Sequence, residues 1–471
     1  MTHPDSGGTQ ATEPTTGNSL WSAPFVGASP VVSSLTVPGS KSLTNRWLVL
    51  AALADGPCRL RAPLHSRDSR LMIQALQELG AHVQEVDVDS PLGPDLVITP
   101  IPRPFDAGSG SGDRSVDCGL AGTVMRFVPP LAALLAGSTQ FDGDPHARKR
   151  PMGPVVEALQ ALGVTVELNG DNRDAALPFT VHGPSAGESL VGGELRIDAS
   201  ASSQFVSAML LVGSQFRNGL TLVHHSPDGG GVPSMPHVDM TVETLRHVGV
   251  VVDDSQPARW VVSPGPVAAF DIRVEQDLSN AGPFLAAAVV TGGQVSVPHW
   301  PLETTQGGAH WREILPQFGA QVELVDGVFT VTGPRHVRGV DLDLSLAGEL
   351  APTVAAICTV ATTPSRLRGI AHLRGHETDR LAALTTEINR LGGRATETED
   401  GLVIEPASLH AATFFSYDDH RMATAGAVIG LVVDGIQVEN VETTAKTLPQ
   451  FPTMWQDLVS SSSTRTTGET A

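Results

Sequence analysis

The chain has 471 residues, 41% of them apolar and 17% charged, and a formal net charge of −20. That length exceeds one ordinary hydrophobic core and predicts a soluble globular protein of at least two domains. The acidic balance argues against general affinity for nucleic acid, and the most apolar run, 423–433, ends at Asp434, far short of a membrane span.

The N-terminus has neither the charged start of a secretory signal nor the arginines of a transit peptide. Residues 1–18 read as a disordered tail, as do 460–471 (SSSSTRTTGETA). A strand-like run, VVSSLTV (31–37), stops at Pro38-Gly39. Ser40 then caps an apolar helix that carries Lys41, Ser42 and Arg46, and Lys41 is the first lysine or arginine of the chain. Free backbone N–H groups and the helix dipole favour an anion at such a start, although a solvated helix start remains an alternative for this stretch alone. The glycine spacing of a Walker A loop is missing.

Five later segments repeat one pattern: ELGAHVQEV (78–86), ALGVTVELN (161–169), HVGVVVDDS (247–255), QFGAQVELV (317–325) and RLGGRATET (390–398). Each has an amphipathic helix, a glycine that ends it, and an alternating strand, followed by a second strand-like run. A sixth ending would fall beyond the C-terminus. One unit is therefore expected to be split between the chain ends, with 31–37 supplying its strand. Six units group naturally as two domains of three.

Polar turns into apolar helices recur along the chain, and cations recur with them. VDCGLAGTVMRF (116–127) carries Gly122, Thr123 and Arg126, and GDPHARKRPMG (143–153) adds Arg148, Lys149 and Arg150. IDASASSQF (197–205) offers Ser202, Ser203 and Gln204. RGHETDRL (374–381) sets Arg380 after His376 and Glu377, YDDHRM (417–422) supplies His420 and Arg421, and TTAKT (443–447) supplies Lys446. Each alone reads equally as ordinary helix capping. With only 30 lysines and arginines in the chain, their joint placement predicts convergence on a polyanionic substrate. Glu349 stands alone in LSLAGELAPTVAAI (344–357), where a carboxylate is costly unless it is paired or functional. Cys58, Cys118 and Cys358 have no metal-type spacing and predict reduced thiols in a cytoplasmic protein.

Seven motifs, in order, resemble the 5-enolpyruvylshikimate-3-phosphate synthase family: PGSKSLTNR (38–46), AGTVMR (121–126), RKRPMG (148–153), ASSQF (201–205), HETDRL (376–381), DDHRMA (418–423) and AKT (445–447). The resemblance implies an α/β, two-domain enolpyruvyl transferase fold, each domain three βαβαββ units in an inside-out α/β barrel. The expected division is 39–274 for the first domain, and 19–38 with 275–459 for the second. Asp277, in VEQDLSNAG, matches the crossover between them. The implied reaction transfers the enolpyruvyl group of phosphoenolpyruvate to the 5-hydroxyl of shikimate 3-phosphate, with no metal and no cofactor, in a cytoplasmic monomer without nucleic-acid or membrane partners.

Carried over by motif, Lys41, Ser42, Arg46, Ser202, Ser203, Gln204, Ser234, Glu349 and His376 would hold shikimate 3-phosphate. Lys41, Gly122, Arg126, Arg150, Gln204, Arg380, Arg421 and Lys446 would hold phosphoenolpyruvate, and Lys41, Glu349, Glu377 and His420 would carry proton transfer. The chain departs from the common pattern at His376 (lysine is usual), His372 (asparagine), Leu120 (asparagine), Phe127 (proline), His237 (tyrosine) and Glu349 (aspartate). The rival readings are a UDP-N-acetylglucosamine enolpyruvyl transferase, which commonly carries a loop cysteine as acid, and a catalytically silent phosphate-binding homologue.

Overall fold

The computed structural model describes residues 19–90, 92–103, 113–168, 176–185 and 188–465. The five repeated endings are five antiparallel hairpins, and the glycine ahead of each has left-handed backbone. Gly80 at φ +103 and Gly163 at +86 are the first two, and Gly249, Gly319 and Gly392 follow suit. An L side chain is disfavoured there, so glycine both ends the helix and turns the chain into the hairpin.

Among the described residues, five of the six sheets have four strands in one shared order. In the second, Arg114–Asp117 pairs parallel with Ser138–Asp142, which pairs antiparallel with Phe179–His182, and Thr165–Leu168 closes the edge. Two sheets borrow a strand from far away in sequence. Asp271–Arg273 lies parallel to Cys58–Arg61, and Val32–Ser34 lies parallel to Gln294–Val297. The sixth sheet joins the chain ends, as expected, but through a different strand. Leu20–Ser22, not 31–37, pairs with Gln437–Glu439. Val32–Ser34 is taken instead by the open parallel edge of Gln294–Val297. The three-residue strand LWS is too short to show alternation, and it is held by Trp21 packing on Phe451 at 6.3 Å between ring centroids.

A second correction concerns the C-terminus. The final helix runs Phe451–Arg465, through residues expected to be disordered. Ser461 donates to Ser33 Oγ at 3.1 Å, so contact with the neighbouring strand extends the helix into the serine run. The expected tails 1–18 and 466–471 lie outside the described residues.

Buried apolar side chains form two clusters, one drawn from residues 43 to 274 and one from 23–37 and 278–458. At the centre of the first lie the helices Lys41–Leu53, Gly122–Ala132 and Gln204–Gly213. The second holds Gly282–Thr291, Ala351–Cys358 and His420–Gly430. These six are apolar nearly all round, as helices enclosed by sheets must be. The two passages between the clusters run side by side: Ser40 N–H donates to Glu275 O at 2.7 Å and Asp277 N–H to Pro38 O at 2.9 Å. Among the described residues no helix is long and apolar enough to cross a membrane.

Candidate active site

All six enclosed helices direct their N-termini at one cavity of ≈ 280 Å³. Its wall takes Lys41 and Ser42 from the first, Gly122 and Arg126 from the second, and Ser203 and Gln204 from the third. Asp277 and Ser279 precede the fourth, Glu349 precedes the fifth, and His420 and Arg421 open the sixth. The positive ends of six dipoles therefore face one place, which favours anions, and protein side chains already cap several of the first-turn N–H groups, Asp277 that of Lys41 and Asp419 that of Arg421.

Cations line the same space, and most carry an internal counter-ion. Lys41 Nζ lies 3.5 Å from Asp68 Oδ2, and its backbone N–H donates to Asp277 at 3.2 Å. Arg421 donates to Glu349 at 3.2 Å, and Lys446 Nζ sits 2.6 Å from Glu377. Arg380 donates twice to the buried Asp419, at 2.7 and 3.1 Å. Arg150 donates to Leu120 O at 3.1 Å, behind Gly122. A Cβ added to Gly122 would stand 2.8 Å from Arg150 Nη2. Arg126 donates to Gln204 Oε1 at 2.6 Å and lies over the Phe205 ring.

The two glutamates of the wall differ in surroundings. Burial pushes the Glu349 carboxyl up, but Arg421, His237 and the Ser279 hydroxyl together outweigh it, so it stays below the ordinary glutamate value. His237 Nε2 is 3.8 Å away, across from the first half of the chain. Burial acts the same way on Glu377, and Lys446 and His420 overcome it by more, holding this acid well below the usual carboxylate range. His420 Nδ1 lies 3.1 Å from Glu377 Oε2. Desolvation pushes His237, His372, His376 and His420 down, so all four imidazoles favour the neutral form. Glu377, Asp419 and His420 lie close enough together to suggest a metal cluster. Their oxygens already receive Lys446, Arg380 and the Arg421 N–H, a donor set built for cations of the protein's own.

Sixteen of the residues proposed from sequence share this cavity: Lys41, Ser42, Gly122, Arg126, Arg150, Ser202, Ser203, Gln204, Ser234, Glu349, His376, Glu377, Arg380, His420, Arg421 and Lys446. Arg46 does not line it. Its side chain is buried behind the wall, donating to Thr241 Oγ1 (2.7 Å), Ser42 O (2.9 Å), His237 O (2.8 Å) and Ser207 Oγ (3.2 Å). Burial lowers its pKa to about 9. In this structure Arg46 supports Ser42 and His237 from below. Of the RKR run only Arg150 turns inward, and Arg148 pairs with Asp142. Sequence reasoning missed Asp68, Ser279 and Gln306. Asp68 had a faint signal, an acid in the first turn of a helix with a Ser66/Ser69 capping box. All three cysteines are free, buried and outside the wall, and desolvation raises Cys58 to about 11 and Cys358 to about 12. None is poised as a reactive acid.

The fold is shared with solved enolpyruvyl transferases. EPSP synthase from Acinetobacter baumannii matches with a TM-score of 0.74 at 23% identity, covering 93% of this chain and 97% of that one. The enolpyruvyl transferase NikO from Streptomyces tendae matches at 0.67 and 15%, covering 92% and 96%. Those likenesses define the class by architecture. The family model for EPSP synthase (3-phosphoshikimate 1-carboxyvinyltransferase) matches residues 26–455. A 3-phosphoshikimate 1-carboxyvinyltransferase of Kocuria rhizophila is 62% identical over 442 residues, 94% of this chain and 97% of that one. The chain belongs to the EPSP synthase family.

Proposed function

We infer that the protein is an enzyme of aromatic amino-acid biosynthesis that transfers the enolpyruvyl group of phosphoenolpyruvate to the 5-hydroxyl of shikimate 3-phosphate. Phosphate is released by addition and elimination through a tetrahedral intermediate. The observation that carries this reading is the meeting of six helix starts and six cations (Lys41, Arg126, Arg150, Arg380, Arg421, Lys446) with two part-buried glutamates, Glu349 and Glu377, in one cavity. Two phosphates and two carboxylates need that positive field, and proton transfer at the 5-hydroxyl and at C3 of the enol needs two separate acid–base groups.

In this reading Ser42, Ser202, Ser203 and Ser234 hold shikimate 3-phosphate, with His376 and Gln204 beside it. Gly122, Arg126, Arg150, Arg380, Arg421 and Lys446 hold phosphoenolpyruvate, with Gln204 between the two substrates. Glu349 takes the proton of the attacking hydroxyl, and C2 of the enol becomes tetrahedral as C3 is protonated from the Lys41 and Glu377 side. Elimination reverses the proton at C3 while the cations stabilise the departing phosphate. An arriving phosphate competes with Glu377 for Lys446 and with Glu349 for Arg421. Losing that cation raises each carboxylate's proton affinity, so binding itself readies the acid–base pair.

We further propose that 39–274 forms one domain and 19–38 with 275–459 the other, the division of the buried clusters supporting it, and that the enzyme works as a cytoplasmic monomer. The test of function is phosphate release by purified protein. It is expected only with both substrates present, and release from phosphoenolpyruvate alone, or none with both, would overturn the reading.

A further inference from the structure

The helix that brings His420 and Arg421 to the cavity is launched from an unusual turn. Tyr417 and Asp418, consecutive and neither of them glycine, both hold left-handed backbone at φ +54 and +55. L side chains disfavour that region, and it persists only where surrounding contacts over-determine it. Here they do. Glu387, fully buried on the helix Arg380–Arg390, accepts the Phe415 N–H (3.0 Å), the Tyr417 hydroxyl (2.7 Å) and Arg390 Nε (3.1 Å). Glu439 accepts the Ser416 N–H at 3.2 Å and its hydroxyl at 3.1 Å. Asn440 Nδ2 donates to Asp418 Oδ1 at 2.6 Å and Thr443 Oγ1 to Asp418 O at 2.8 Å.

What the turn delivers is Asp419, which caps the next helix through the Arg421 N–H (2.8 Å) and grips Arg380. Thr443 belongs to the same short helical segment as Lys446. One clamp thus fixes Arg380, His420, Arg421 and Lys446 relative to one another, yet neither Tyr417 nor Glu387 reaches the cavity wall.

We propose that Tyr417 and Glu387 are positioning residues for the transfer reaction. Their phenol–carboxylate bond holds the strained 417–418 turn so that the cations facing phosphoenolpyruvate stay aligned. The proposal rests on the functional reading above, which places Arg380 and Arg421 on the phosphoenolpyruvate side. The serines assigned to shikimate 3-phosphate lie in the first half of the chain and do not depend on this turn.

The test compares wild type, Tyr417→Phe, Glu387→Gln and the double variant, with steady-state rates against each substrate. Tyr417→Phe is expected to lower kcat/KM for phosphoenolpyruvate about tenfold, the scale of a small misplacement of binding groups. KM for shikimate 3-phosphate should change less than about twofold, and the double variant should fall no further than the worse single one. Because Tyr417 is the only tyrosine, alkaline phenolate absorbance reports on it alone. Burial and the Glu387 carboxylate push its ionisation up, so Glu387→Gln should bring the phenolate midpoint down.

Unchanged constants in Tyr417→Phe would overturn the proposal, as would equal losses toward both substrates together with a lower Tm, which is the signature of general packing damage. Should Tyr417→Phe fail to fold, Glu387→Gln, which removes the carboxylate that the phenol, the Phe415 N–H and Arg390 share, decides by the same substrate split. If wild type released no phosphate from the substrate pair, the functional reading would fail first. The phenolate titration would still say whether the bond exists.

Discussion

Gly122→Ala places one methyl group where the structure leaves room for none. The new Cβ would stand 2.8 Å from Arg150 Nη2, 3.1 Å from Nη1 and 3.3 Å from Cζ. The obstacle is the end of a long side chain, so the fold need not break, but Arg150 must retreat by several tenths of an ångström. That motion strains its 3.1 Å bond to Leu120 O and pulls a guanidinium away from the cavity. Gly122 itself has no positive φ, and it opens a helix. Alanine there stabilises through the unfolded chain by about 0.4–1 kcal/mol, offsetting an overpacking cost of about 1 kcal/mol. Apo stability should therefore move little. Function should move more, because misplacing a binding cation by a fraction of an ångström to one ångström costs about tenfold to a hundredfold. The expected result is a KM for phosphoenolpyruvate raised at least about tenfold, with KM for shikimate 3-phosphate nearly constant. Steady-state kinetics with each substrate varied in turn, beside an apo thermal melt, measures this. An unchanged phosphoenolpyruvate KM, or equal rises for both substrates, would refute the placement of Arg150 and Gly122 on that side.

Lys41→Met should cut turnover at least about a hundredfold in steady-state assays. Its apo melt should show a loss of only about 1 kcal/mol, since Asp68, left without Lys41, still sits in a helix first turn where the dipole supports an acid. Arg46→Met should do the reverse of a ligand mutation: it strands acceptors at Thr241, Ser207, Ser42 and His237, and chemical denaturation should show a loss of about 2 kcal/mol or more. Glu349→Gln should lower kcat by about a hundredfold or more with modest changes in KM, as expected for a general base. Apo stability should also fall as pH drops from 7 toward 5. The histidines 237, 372 and 420, buried or part-buried, have folded pKa values below the ordinary 6.5, so there the unfolded chain binds more protons. Each contributes a slope of at most about 1.4 kcal/mol per pH unit below that value. Thermal melts across this range check it, and His372→Asn should flatten the slope.

The repeat and the cationic turns were legible in the sequence because both are local. The five glycines that end helices in left-handed backbone do so by a local preference, and Lys41, Gly122 and Arg421 announce themselves by sitting where an enclosed helix begins. What was not legible depends on packing between distant segments. Ser42 and Arg46 share a helix face by spacing, yet Arg46 is long enough to tuck under that face and reach Thr241 and Ser207. Asp68 becomes a site residue only because its helix brings it within 3.5 Å of Lys41, and Ser279 and Gln306 only because the chain passage at 275–279 lies beside 38–41. Leu20–Ser22 is a strand only because Gln437–Glu439 offers it an edge.

The same packing explains how a chain of charge −20 keeps a cationic cavity stable between turnovers. Four of the cations are held against carboxylates of the protein itself: Lys41 by Asp68, Arg421 by Glu349, Lys446 by Glu377 and Arg380 by Asp419. Bringing like charges together in a desolvated space would otherwise favour opening, so these acids act as stand-ins for the substrate's anionic groups. They are not equivalent. Asp419 is fully buried with both oxygens on Arg380 and cannot give way, which keeps that guanidinium fixed. Glu349 and Glu377 line the cavity and can be displaced. The displaceable pair is also the pair assigned to proton transfer. A carboxylate parked on a cation is a poor base, and it gains basicity when a phosphate or carboxylate takes that cation from it. On the proposed assignment, occupancy and reactivity are coupled: Glu349 and Glu377 gain proton affinity when the anions that need it arrive.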